Sequence, residues 1–286
     1  MRSMVRLIAL AAVVLAAAGA IVWLVHGDGD VEGSAAGVFR PREQGVLTVA
    51  TDFPAAGLWE GADVAHVTGG FELELAQELA ARLGLERVEV VDRPFDALVD
   101  GSAGGFDLAL AQVSITRERA KVVDLSRAYL TTPVGVVGRS GGDAPDAPDA
   151  PDIADLAEAR RLRWGVAEAT TEIDVVDDLI VPDTDATVFP SIADALGAVA
   201  RGSVDVAALD LLRALAEVED APALALVAQV TAPQHYGALL PRGSRNLAAV
   251  DSAIRSMEAD GTLADMRDEL FDRFKAGDVP VVRVTP

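Results

Sequence analysis

Two hydrophobic patterns follow one another along the chain. The first is an unbroken apolar run from Leu7 to Val25, preceded by Arg2 and Arg6 and followed by Asp28, Asp30 and Glu32. A helix buried in a globular core is not normally apolar on every face and charged at both ends. The run is close to the ~20 residues that span a bilayer. Basic residues stay on the cytoplasmic side, so the rest of the chain is expected to be exported. Two fates are open. Ala18-Gly19-Ala20 has the small-x-small form of a signal-peptidase site, whereas residues 21–25 carry the apolar run past it, as a retained anchor would. Residues 1–26 are therefore read as a signal or transmembrane helix. Residues 27–44, rich in Gly, Ala and charge, read as a tether.

The second pattern begins at Val46 and alternates short apolar runs with helical stripes. Residues 46–50, 88–91 and 106–111 read as strands. Phe71, Leu75, Leu79 and Leu83 recur every four residues on one helix face, with Gly84 placed as a C-terminal cap. Residues 94–99 form a short helix. Further on, residues 162–166, 186–189, 204–209, 224–230 and 236–240 read as strands. Helices are predicted over 172–180, from the cap Ser191 to Arg201, from Asp210 onward, over 246–259 and over 262–274. Strand and helix alternating in this way predict βαβ units and a mostly parallel sheet in two α/β halves. Residues 140–152 interrupt the alternation with Asp-Ala-Pro repeated three times. Proline at every third position suits an extended surface loop and excludes a helix or a ladder strand.

Composition narrows the function. With Lys+Arg 24 against Asp+Glu 45 the formal charge is −21, which repels nucleic-acid phosphates. The absence of cysteine removes disulfides, thiolate metal sites, a cysteine nucleophile and lipid attachment at a cysteine. The histidines, His26, His66 and His235, show no metal-ligand spacing. No cofactor or metal is expected.

Candidate chemistry concentrates in 106–119. An apolar strand ends in small and polar residues, Ala111, Gln112 and Ser114, and runs into a charged turn carrying Arg119. In open α/β sheets ligands bind beyond the carboxyl ends of strands. Ser114 offers a hydroxyl and an N–H there, and Arg119 a planar fork that suits a carboxylate.

This segment, continued by 120–126 and Tyr129-Leu130, resembles the signature of the polar amino-acid-binding proteins of ABC transporters, extracytoplasmic solute-binding protein family 3. Three further blocks agree in order: Gly70-Phe71-Glu72-Leu73-Glu74-Leu75-Ala76, Phe95-Asp96-Ala97-Leu98, and Tyr236-Gly237 followed by 258–263. The resemblance covers roughly residues 44–275. It implies a periplasmic-binding-protein-like type II fold, with two α/β lobes and a hinged cleft. Lobe one would take 45–134 and return over 238–286, and lobe two 135–237, with hinges near 133–135 and 236–237.

The resemblance also implies a ligand set. Arg119 holds the position of the α-carboxylate clamp and Ser114 assists it. Ala111 and Gln112 hold positions whose backbone approaches the α-ammonium, and Asp210 that of the acid which pairs with it. For Asp210 its position before Leu211 also permits the role of helix cap, and capping and binding can coexist. Thr170 and Thr171 match residues that reach the carboxylate from lobe two. Phe53 and Phe95 match aromatic walls of the cleft, with ordinary core as the other reading. Asp52 matches a position that favours a cationic or amide side chain over a glutamate. Gln112 and Ala169 depart from the family's glycines, so a positive-φ position could be lost at Ala169.

Three functions stay in view. The first is a transport receptor that hands an amino acid to an ABC permease. The second is a membrane-anchored sensor on the same fold, extracytoplasmic in either case, or secreted if 18–20 is cleaved. The third is a dehydratase-like enzyme, for which no catalytic set is evident, so the chain is read as a non-enzyme.

Overall fold

The computed structural model describes residues 37–141, 151, 153–219, 221–274 and 279–284. The signal or anchor helix, the tether up to residue 36 and nearly all of the Asp-Ala-Pro repeat lie outside the described residues. Among the described residues no helix is long and apolar enough to cross a membrane.

The first half is built around β1 (Val46–Thr51), buried at all 6 positions, as a parallel strand covered on both faces must be. It pairs in parallel with β4 (Arg87–Asp92) and β5 (Leu108–Ala109). Between them come a small hairpin, β2 (Glu60–Gly61) and β3 (Val67–Gly69), and α1 (Phe71–Arg82). The stripe of Phe71, Leu75 and Leu79 is the buried face of α1. Gly84, at φ 74, reverses the chain beyond it without the strain a Cβ would bring. A short α2 (Phe95–Val99) leads into β5. The strand predicted over 106–111 is therefore cut to Leu108–Ala109, the two residues that find partners on β1.

The second half repeats the scheme. β7 (Trp164–Ala167) lies parallel to β8 (Thr187–Phe189) and β9 (Val206–Asp210). Its helices are α3 (Leu156–Arg160), α4 (Glu172–Asp174, continued by a wider π turn over Val175–Ile180), α5 (Ile192–Ala200) and α6 (Leu211–Glu219). Ser191 caps α5 by accepting from the Asp194 N–H, as its sequence position predicts.

Two long antiparallel strands join the halves: β6 (Val123–Arg139) and β10 (Leu224–Pro241). They turn the two parallel groups into one sheet of order β4-β1-β5-β10-β6-β9-β7-β8. Sequence patterning assigned no strand to β6 and broke β10 into two. The ladder itself is interrupted at its middle. Val230 faces Val134 and Gln234 faces Thr132, so Thr231, Ala232 and Pro233 oppose Pro133 alone. Neither proline can donate to the ladder, and the bulge forms where the two meet. β6 also passes close beneath α6. A Cβ on Gly135 would come within 2.7 Å of the Ala214 Cβ, which a non-glycine could not tolerate without movement.

The apolar cores divide along the same line. Leu47, Val49, Leu75, Leu79 and Tyr236 belong to a core under α1, α7 (Leu247–Asp260) and α8 (Thr262–Arg273). Val134, Trp164, Val166, Val176 and Val230 belong to a core of the second half. α6 serves both halves, giving Leu212 and Ala216 to the first core and Ala214 to the second half. The last strand, β11 (Val281–Val282), pairs with β10 at Gln229 and Val230 and sends Val282 into the second half's core.

Candidate ligand-binding cleft

Parallel strands of both halves point their carboxyl ends at one space, as ligand-binding α/β sheets do. Residues just beyond β1, β5, β7, β8 and β9 line a cleft of about 520 Å³. Asp52 follows β1, while Ala111, Gln112 and Ser114 follow β5. Residues 168–171 follow β7, Pro190 and Ser191 follow β8, and Asp210 ends β9.

Arg119 is the centre of the first wall. It is 92% buried, at 8% relative exposure. Its Nη1 donates to the Ser114 carbonyl at 2.9 Å, and its Nη2 crosses the cleft to the Ala169 carbonyl at 2.9 Å. The guanidinium lies over the Phe95 ring, 5.3 Å from its centroid. Burial lowers its pKa, while Glu172 and Asp174 act to hold its charge. No ion pair joins Arg119 to a carboxylate among the described residues; both hydrogen bonds go to neutral carbonyls. A second cross-cleft contact sets the Thr171 and Ser114 hydroxyl oxygens 3.3 Å apart, with Thr171 also donating to Gln234 Oε1 at 2.8 Å.

Asp210 is the centre of the opposite wall. Its Oδ1 caps α6, accepting from the Leu212 and Arg213 N–H groups at 2.7 and 3.1 Å. Its Oδ2 is sealed from solvent and has no hydrogen-bond partner. Burial, and next the charge of Glu172, push its pKa up to about 7. Burial likewise raises Glu172, and raises Asp52 with help from Asp92. Thr170 turns its hydroxyl back to the Ala167 carbonyl at 2.8 Å.

Nine of the ten sequence-predicted residues therefore come together on the cleft, and Phe53 does not. Phe53 packs against the first core instead. β1 ends at Thr51, and the bend at Phe53 lays its ring on the core side while Asp52 stays on the cleft. The concern over Ala169 is resolved by the backbone. It keeps φ 60 despite its Cβ, and Gln112 keeps φ 55. Each left-handed residue costs roughly 1–2 kcal/mol, and each here has a tether: the Ala169 carbonyl on Arg119, and the Gln112 N–H on Glu72 at 2.9 Å.

Sequence reasoning missed Asp96, Glu172, Arg213 and Tyr236, which line the cleft together with Glu168. Asp96 lies in the Phe95–Leu98 block, but nothing local marked it as lining. With Asp52 and Asp210, five carboxyl groups line the space against Arg119 and Arg213. Arg213 is paired with Glu217 at 2.7 Å, so its charge is already answered. Neither described histidine lines the cleft: His66 pairs with Asp63, and His235 with the Thr131 hydroxyl.

This geometry coincides with a sequence-wide match. The pattern of the bacterial extracellular solute-binding proteins, family 3, spans residues 47–273. The chain belongs to this family. Among family 3 relatives, the L-cystine-binding protein TcyJ of Escherichia coli (strain K12) is 27% identical over 240 residues, 81% of this chain and 85% of the relative. An ancestral arginine-binding protein bound to glutamine shares the fold with a TM-score of 0.62 and 25% identity, over 82% of this chain and 99% of the other. The ancestral amino acid-binding protein AncCDT-1, a precursor of cyclohexadienyl dehydratase, gives 0.60 at 25% identity, over 80% and 95%. The fold is thus the mixed α/β fold of type II periplasmic amino-acid binders, and the family is extracytoplasmic.

Proposed function

We propose that this family 3 protein captures a cationic amino acid outside the cytoplasm and delivers it to an ABC permease. The observation that carries the reading is the charge of the cleft. Five carboxyl groups line the cleft with the buried Arg119 guanidinium, which among the described residues makes no ion pair with a carboxylate and bonds only neutral carbonyls. A zwitterion with a basic side chain answers both features. Its carboxylate takes the Arg119 N–H donors left over from the two backbone bonds, with Ser114, Thr170 and Thr171 nearby. Its α-ammonium meets the free Oδ2 of Asp210 and the backbone at Ala111–Gln112. Its distal cation lies toward Asp52 and Asp96, beside Phe95. The ligands of the relatives, cystine, arginine and glutamine, support a polar or basic amino acid.

In this reading lobe one is 45–134 with the return after 237, and lobe two is 135–237 joined by β11. They hinge at the interrupted ladder around Pro133 and 231–233 and again near Tyr236-Gly237. Binding closes the hinge without chemistry on the solute. A thermal-shift screen against the twenty amino acids tests the proposal, because a ligand of the folded state raises the midpoint. L-Arginine or L-lysine is expected to give the largest rise. Tight binding of L-glutamate with none of the basic or amide amino acids would overturn it.

The apolar run at 7–25 favours a second reading for localisation, a retained membrane anchor and a sensing role. The mass of the exported protein separates the two: loss of residues 1–20 means a free receptor, and an intact N terminus means an anchored one.

A further inference from the structure

We infer that Glu72, which lies behind the cleft and not on it, is a positioning residue for the ammonium end of the bound amino acid. The inference rests on the reading of the cleft given above. Glu72 sits on the buried face of α1 among Leu75, Ala76 and Leu79, at 0% exposure. A carboxylate in such a place is costly unless its oxygens are fully served. They are. Oε2 accepts from Trp59 Nε1 at 2.7 Å, and Oε1 accepts from the Gln112 N–H at 2.9 Å and from the Tyr129 hydroxyl. Burial raises the Glu72 pKa and these three donors oppose the rise. Burial and the Glu72 charge together hold the Tyr129 proton in place, so Tyr129 donates.

The network reaches the cleft at one point. Trp59 Nε1 also donates to the Leu110 carbonyl at 3.0 Å, and the next peptide carries the Gln112 N–H. Trp59 and Glu72 together therefore grip the chain on both sides of Ala111. Gln112 stands at φ 55, a conformation its side chain resists, and its N–H is anchored by this carboxylate. An apolar side chain would complete the stripe of α1 at lower cost. What it could not do is hold the Ala111–Gln112 turn open to the cleft.

The test compares the native protein with Glu72→Gln. An amide in place of the carboxylate must set an NH2 group against one of the three donors. In the ligand-free variant the Gln112 amide resonance is expected to move upfield and to exchange faster. Affinity for L-arginine is expected to fall about tenfold or more, on the scale of a lost charge-assisted hydrogen bond. Affinity for 5-guanidinopentanoate, which is arginine without its α-ammonium, is expected to change by less than about twofold, because the lost contact has no counterpart in it. A folded variant with native L-arginine affinity overturns the inference, and so do equal losses for both compounds, which mark a purely structural role. If Glu72→Gln does not fold, Tyr129→Phe removes one donor without stranding another. It should shift the Gln112 amide and weaken L-arginine about threefold, and an unchanged amide and affinity overturn the inference. Failure of the cleft reading looks different. There the native protein does not bind L-arginine, or Arg119→Ala binds it equally well, while the Gln112 amide still reports on Glu72.

Discussion

Behind the first wall of the cleft, Glu72 is sealed in the core with both oxygens occupied, and on the wall itself Arg119 spends two donors on backbone carbonyls. On the second wall Asp210 uses one oxygen to cap α6 and keeps the other buried and unpartnered. The first wall is already complete as a structure, with its groups held in place before a solute arrives. The second carries a buried carboxyl with one unpartnered oxygen, which a cation would complete. Preorganisation on one side and electrostatic demand on the other are separate ways to favour the same zwitterion, and they respond differently to mutation and to pH.

The sharpest break is Arg119→Ala. It removes the carboxylate clamp and the cross-cleft bond to Ala169 together. Calorimetry should register a loss of about 2–5 kcal/mol in L-arginine binding, as for a buried charge partner. Asp210→Asn comes next and separates binding from stability. Its Oδ1 still caps α6, but the charge is gone. L-Arginine affinity should fall by about ten- to a hundredfold, while the melting midpoint of the ligand-free protein stays level or rises.

The pH dependence sharpens the same contrast. Asp210 titrates at about 7 in the fold against 3.8 unperturbed. A raised acid lends the fold stability that is fully present below its unfolded pKa and is lost as pH rises through the folded value. The ligand-free protein should therefore melt lower at pH 8 than at pH 5, and Asp210→Asn should shrink that difference. Affinity for L-arginine should run the other way and rise over the same interval, because an ammonium favours the ionised carboxyl. The smallest effect is expected at Ala169→Gly, where φ 60 is eased. Denaturant melts should show a gain of at most about 1 kcal/mol, since glycine also loosens the unfolded chain.

Much of this was legible before the structure, and the failures are informative. The α1 stripe and the β1 run were readable because their periodicity is local. β6 was not, because one strand serves two cores and carries Pro133 in its middle, which argues against a strand by every local rule. The expected break in β10 exists as a bulge, yet pairing with β6 on either side carries the strand through it. Glu72 could have been noticed as an acid on an apolar stripe. Asp96 and Glu172 had no such mark. Phe53 packs on the core side, and a matched position says little about which way a ring will turn at the bend after a strand.

From sequence alone came the parallel α/β class, the acidic balance, the apolar N-terminal run and the positions of Arg119, Ser114 and Asp210 near strand ends. These depend on interactions within a few residues, where helix and strand periodicity act directly. Tertiary structure alone decided that carboxyl groups from Asp52 to Asp210 would converge on one cleft with Arg119, that Ala169 would keep a left-handed turn under Arg119, and that a core acid would reach the cleft through Gln112. Those outcomes depend on which strands pair across the whole chain, and no local pattern encodes the distance between residues so far apart in sequence.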